Sequence, residues 1–111
     1  MKSPLVIHIA VLLSLVALAS SPAFAREPAE PRRSEIVRMV RQDCGSCHGL
    51  TLQGGLGPAL LPANLHDKPA ESLVATIYYG RPGTPMPPWK QFMSEAEAGW
   101  IVQKLMSGFP Q

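Results

Sequence analysis

Five consecutive residues, Cys44-Gly45-Ser46-Cys47-His48, carry the most distinctive chemistry of this chain. Two thiols three residues apart lie one helical turn from each other, and an imidazole follows the second directly. Such a set can add both sulfurs across two vinyl groups of a porphyrin and bring a nitrogen under its iron. That is the pattern of a covalent haem attachment site, and it uses both cysteines of the chain. Other readings lack partners. A thioredoxin-like redox pair needs a strand–turn–helix setting, which the Gly/Pro-rich stretch after His48 does not provide. Structural zinc wants four ligands, and an iron–sulfur cluster wants four thiolates. A disulfide between these cysteines would span one short turn and staple nothing.

A haem held by His48 has a second axial position to fill, and the loop Gly83-Thr84-Pro85-Met86-Pro87-Pro88-Trp89 presents the candidate. A thioether binds iron weakly, so its segment must be stiff, and prolines on both sides of Met86 restrict φ there. Met39, Met93 and Met106 fall in predicted helices, where core packing is the ordinary fate of a methionine. His66, beside Asp67 at a predicted helix start, reads as an exposed or capping residue. Between His48 and Met86 lies Gly54-Gly55-Leu56-Gly57-Pro58-Ala59-Leu60. Its glycines let backbone pass close to a flat ligand edge, and the Pro58 carbonyl is a candidate acceptor for His48 Nδ1–H. An ordinary surface turn is the competing reading. Tyr79, Arg81 and Trp89 stand where they could line the haem edge or donate to its propionates, with surface or core roles equally open. Trp100 reads as packing between terminal helices.

The elements that position these residues are helical. A first helix begins near Ser34, a candidate N-cap, and carries Ile36, Val37 and Val40 toward the cysteines. A second runs from about Pro69 to Tyr79, with Leu73, Val74 and Ile77 on one stripe and Gly80 ending it. The third opens on Ser94-Glu95-Ala96-Glu97, a capping-box sequence, followed by Ile101 and Leu105 on one face. No run alternates long enough to build a sheet, so the expected class is all-α, with long structured loops.

The N-terminus sets the expected compartment. Lys2, an apolar run from Leu5 to about Ala19, and Ala23-Phe24-Ala25 form the three parts of a secretory leader. The run is short for a spanning helix and contains His8, so cleavage after Ala25 is expected in place of a retained anchor. Residues 26–33 read as a flexible tether and residues 34–111 as one domain. After the leader the chain carries nine basic against eight acidic side chains, a balance that points to neither nucleic acid nor an anionic membrane surface.

Taken in order, the CGSCH motif, the GLGPAL loop, the TPMPPW loop and the closing capped helix resemble a small bacterial class I cytochrome c over residues 34–109. The resemblance implies terminal helices that cross, His48/Met86 ligation of one haem c and the Pro58 carbonyl on His48. The GGLGPALLP and YYGRPGTPMPPW stretches are similar, more narrowly, to accessory periplasmic cytochromes encoded with dihaem cd-type nitrite reductase. That likeness implies a periplasmic one-electron carrier, not an enzyme. Nitrite reductase is the candidate acceptor and a quinol-oxidising membrane complex the donor. A role in maturing the reductase's d-type haem is the alternative. Peroxidase or gas-sensing chemistry would need an open iron and a distal acid–base residue, and none stands out beyond His66.

Overall fold

The computed structural model describes residues 26–110; the predicted leader lies outside them. Helices and loops make up this region, and no strand occurs among the described residues. Helix α1 spans Arg32–Met39 and continues into a π-helical segment, Val40–Cys44, and then into the short α2, Gly45–His48. After a long loop come α3, Pro62–Leu65, and α4, Ala70–Tyr79; a second loop leads to α5, Glu95–Ser107.

The first helix starts earlier than Ser34 suggests. Pro31 occupies the N-cap position. The Ser34 hydroxyl donates instead to the Glu30 carboxylate at 2.7 Å, and its amide does so at 3.3 Å. The last two residues of the expected tether, Arg32 and Arg33, are therefore helical. Arg32 also has long-range partners. Its guanidinium donates to both Glu97 oxygens, at 2.7 and 3.1 Å, and to the Phe92 carbonyl at 2.6 Å. That ties the start of α1 to the start of α5.

Helix α4 follows its expected limits, with Pro69 as N-cap and Gly80 beyond its end at φ 72°. Helix α5 carries the complete capping box: Glu97 N–H donates to Ser94 Oγ at 3.1 Å, and Ser94 N–H to Glu97 Oε2 at 2.8 Å. Met93, expected to be helical, instead precedes this N-cap and is buried, the position from which a hydrophobic residue braces the first turn.

The core joins one stripe from each long helix. Ile36 and Val40 of the first stretch are fully buried, as are Ala98, Trp100, Ile101 and Val102 of α5, with Leu105 of α5 and Val74 of α4 buried beside them. Leu73, Ile77, Met39 and Met106 pack against this cluster. Trp100 meets Phe109 edge-on at 6.5 Å, consistent with a packing role. No helix among the described residues is long and apolar enough to cross a membrane.

Candidate haem-binding site

Cys44, Cys47 and His48 arrive on one continuous stretch of helix. The π-helical segment ends at Cys44, which itself keeps helical dihedrals as the N-cap of α2. A π turn holds an extra residue, so the helix beyond it is rotated by roughly 100° relative to an uninterrupted α-helix. Ile36 and Val40 face the core, and Cys44 packs against the same cluster while Cys47, one turn on, lies outside it. Cys47 is exposed, Cys44 is partly buried, and neither forms a disulfide. Burial, and after it the Asp43 carboxylate, push the Cys44 thiol up to about 11. A reactive thioredoxin-type cysteine has its thiol shifted the opposite way.

The loop after His48 folds back on α2. Gly54 N–H donates to the His48 carbonyl and Gly57 N–H to the Cys47 carbonyl, both at 2.8 Å, so the last carbonyls of this short helix are satisfied. The return brings the Pro58 carbonyl 2.7 Å from His48 Nδ1. Gly57 passes close to the His48 imidazole: a Cβ there would lie 2.8 Å from both Cε1 and Nδ1.

Met86 is half-buried on the second loop, which closes on itself at its start and is stitched to α4 at its return. On the way out, Arg81 N–H donates to the Met86 carbonyl at 3.1 Å, and Thr84 Oγ1 donates to the Arg81 carbonyl at 2.7 Å. Met86 N–H in turn donates to Thr84 Oγ1 at 3.3 Å. On the way back, Trp89 and Lys90 N–H donate to the Ile77 and Tyr78 carbonyls, the orphan acceptors at the end of α4.

The remaining candidates divide. Arg81 acts on this loop through its backbone, while its side chain is exposed. Trp89 is half-buried and tilts against Phe92 at 5.7 Å. Tyr79 is 58 % exposed, with its ring edge-on to Tyr78. His66 caps α3 locally, its Nδ1 2.9 Å from the Ala63 carbonyl.

Sequence reasoning missed Arg41. Its guanidinium donates to the Pro110, Phe109 and Leu50 carbonyls and lies 5.5 Å from the Phe109 ring centre. It thereby fastens the C-terminus and the start of the His48 loop to the π segment. No local pattern marks such a residue, because its partners lie up to 69 positions away. The charge distribution is uneven as well. No Asp, Glu, Lys or Arg occurs from Cys44 to His66, and Arg81 and Lys90 are the only charged residues between Gly80 and Ser94.

The donor set suits haem c. It offers two thiols one turn apart and an imidazole whose Nδ1 is engaged by a carbonyl. A thioether sits on a braced loop, and the segment from Cys44 to His66 is uncharged.

Residues 31–103 match the family described as cytochrome c oxidase, cbb3-type, subunit III. The chain belongs to the cytochrome c family. Cytochrome c55X of Pseudomonas aeruginosa is 54 % identical over 97 residues, covering 86 % of this cytochrome and 82 % of that protein. The solved c-type cytochrome NirC matches with a TM-score of 0.72 at 55 % identity, covering 74 % of this chain and 96 % of NirC. A dihydro-heme d1 dehydrogenase, NirN, solved in complex with DHE, matches with a TM-score of 0.60 at 34 % identity. That match covers 67 % of this cytochrome but only 16 % of NirN. Family membership implies covalently bound haem c and makes this cytochrome an electron-transfer protein, not an enzyme.

Proposed function

We propose that this cytochrome is a periplasmic one-electron carrier of denitrification, with one haem c joined to Cys44 and Cys47 and its iron held between His48 and Met86. The contact of His48 Nδ1 with the Pro58 carbonyl carries this reading. A carbonyl can only accept, so Nδ1 keeps the proton and Nε2 keeps the lone pair a metal needs. Haem c, when bound, supplies a reversible one-electron couple, and a His/Met pair raises its potential.

The chain does the rest. Pro58 fixes the imidazole tautomer, and Gly57 gives the ring its floor. Pro85, Pro87 and Pro88, with the Arg81 and Thr84 bonds, hold the backbone of Met86 against a weak ligand's tendency to leave. Tyr79, Arg81 and Trp89 are the candidate contacts of the haem edge and propionates, Arg81 by charge. Residues 1–25 act as a leader removed on export.

Nitrite reductase is the proposed acceptor and a quinol-oxidising membrane complex the donor, supported by the similarity to NirC and cytochrome c55X. A maturation role is not adopted: the likeness to an enzyme acting on dihydro-haem d1 covers a small part of that enzyme.

The test mixes reduced, haem-loaded protein with oxidised cd-type nitrite reductase in a stopped-flow instrument. Rapid oxidation of the cytochrome that keeps pace with nitrite turnover is expected. Failure to pass electrons to this reductase, with the protein intact and reducible, would refute the assignment of acceptor.

A further inference from the structure

We propose that Gly80 is a positioning residue for Met86: its missing side chain lets the Met86 loop lie directly on the end of α4. This rests on Met86 being an axial ligand. A Cβ built on Gly80 would lie 2.7 Å from Pro88 N, 2.8 Å from the Pro87 carbonyl carbon and 2.9 Å from the Met86 carbonyl oxygen. All three are backbone atoms, so no rotamer change relieves the overlap. The loop itself would have to move. The contact falls in the middle of the stitched region, between the Arg81-to-Met86 bond on one side and the Trp89-to-Ile77 bond on the other.

Gly80 also ends α4 with φ 72° and ψ −175°, a conformation open almost only to glycine. Two properties of one residue thus converge. The chain reverses there, and the returning segment of loop passes within van der Waals distance of the turn. Gly83 separates these properties. It too has positive φ, 78°, but a Cβ there meets nothing within 4 Å. An alanine at either site meets unfavourable φ, whereas only an alanine at position 80 pushes on Met86.

The experiment compares wild type, Gly80→Ala and Gly83→Ala as haem-loaded ferric proteins. The readouts are the far-red charge-transfer band of methionine on iron and the imidazole concentration that displaces it. For Gly80→Ala the band should weaken and displacement should need at least about tenfold less imidazole. By two-state arithmetic that ratio is about 1.4 kcal/mol. Gly83→Ala should stay within about twofold of wild type. A Gly80→Ala protein with the same band and imidazole affinity as Gly83→Ala overturns the inference, even if its denaturation midpoint has fallen. Absence of the band from wild type would refute Met86 ligation itself, a separate outcome.

Amide exchange in wild type covers the case in which Gly80→Ala does not accumulate. Arg81 and Trp89 amides should keep their protection when imidazole replaces the methionine, because the backbone stays pinned while the side chain leaves. Loss of that protection by more than about tenfold overturns the pinning.

Discussion

The imidazole of His48 rests on Gly57 so closely that one added carbon would meet its Cε1 and Nδ1 at 2.8 Å. Gly57 φ is not in the left-handed region, so the requirement for glycine there is steric, set by a ring nine positions away. The same loop supplies the carbonyl that holds that ring, one residue on, at Pro58.

Gly57→Ala should therefore push His48 off the Pro58 carbonyl. Overpacking of this kind costs about 1–3 kcal/mol. The expected outcome is a lower denaturant midpoint and a smaller haem-loaded fraction, read from the ratio of haem to protein absorbance. Unchanged values would mean that the loop yields freely.

On the proposed His48/Met86 ligation, Met86→His should exchange the thioether for a second imidazole and lower the reduction potential, since a His/Met pair raises it. Met86→Ala should open the position to small ligands. The checks are a redox titration of the first variant and carbon monoxide binding by the ferrous form of the second. Wild type is expected to show no spectral change with carbon monoxide.

The Arg32–Glu97 pair makes stability depend on pH in a defined direction. The Arg32 hydrogen bonds hold the Glu97 carboxyl below its ordinary value of 4.5. A depressed carboxyl contributes stability above its unfolded value and loses it as pH falls through the folded one. Wild type should thus exceed Glu97→Gln at neutral pH by about 1–2 kcal/mol, for side chains 35 % and 20 % exposed. The gap should narrow as pH falls below 4.5 and close once it has passed the lowered folded-state value. Urea midpoints of both proteins across that range provide the check.

Arg41→Ala should loosen two places at once. With its carbonyl partners released, the last turn of α5 and the Phe109–Pro110 segment should exchange amide protons faster. Global stability should fall by about 1–2 kcal/mol, since charged hydrogen bonds and a cation over an aromatic ring are both lost. Faster exchange near Leu50 would link the C-terminus to the haem loop directly.

How far these features can be read from the sequence depends on how local they are. The capping box at Ser94 and Glu97 is legible because its partners stand three residues apart. Helix α4 is legible from a proline before it, a glycine after it and an apolar stripe between. The start of α1 is misread because Ser34 resembles a cap, while a carboxylate four residues earlier claims its hydroxyl and amide. Leu52 shows the same limit: no local rule puts a leucine at φ 60°, but its side chain is 2 % exposed in the core, and burial overrides the backbone preference.

The chemistry is written in residue types and short spacings: two thiols and an imidazole one helical turn apart, a methionine between prolines, and helices with clear ends. Such properties depend on neighbours within a turn or two, where covalent connection sets the geometry. How those groups are held emerges from folding alone. Cys44 rests against the core while Cys47 faces out, Gly57 and Pro58 grip the imidazole, and Gly80 lies under the Met86 loop. Arg32 ties the start of α1 to the start of α5, and Arg41 holds the Phe109–Pro110 segment. Each of these depends on how closely separate segments approach, a distance that packing sets and that no spacing along the chain encodes.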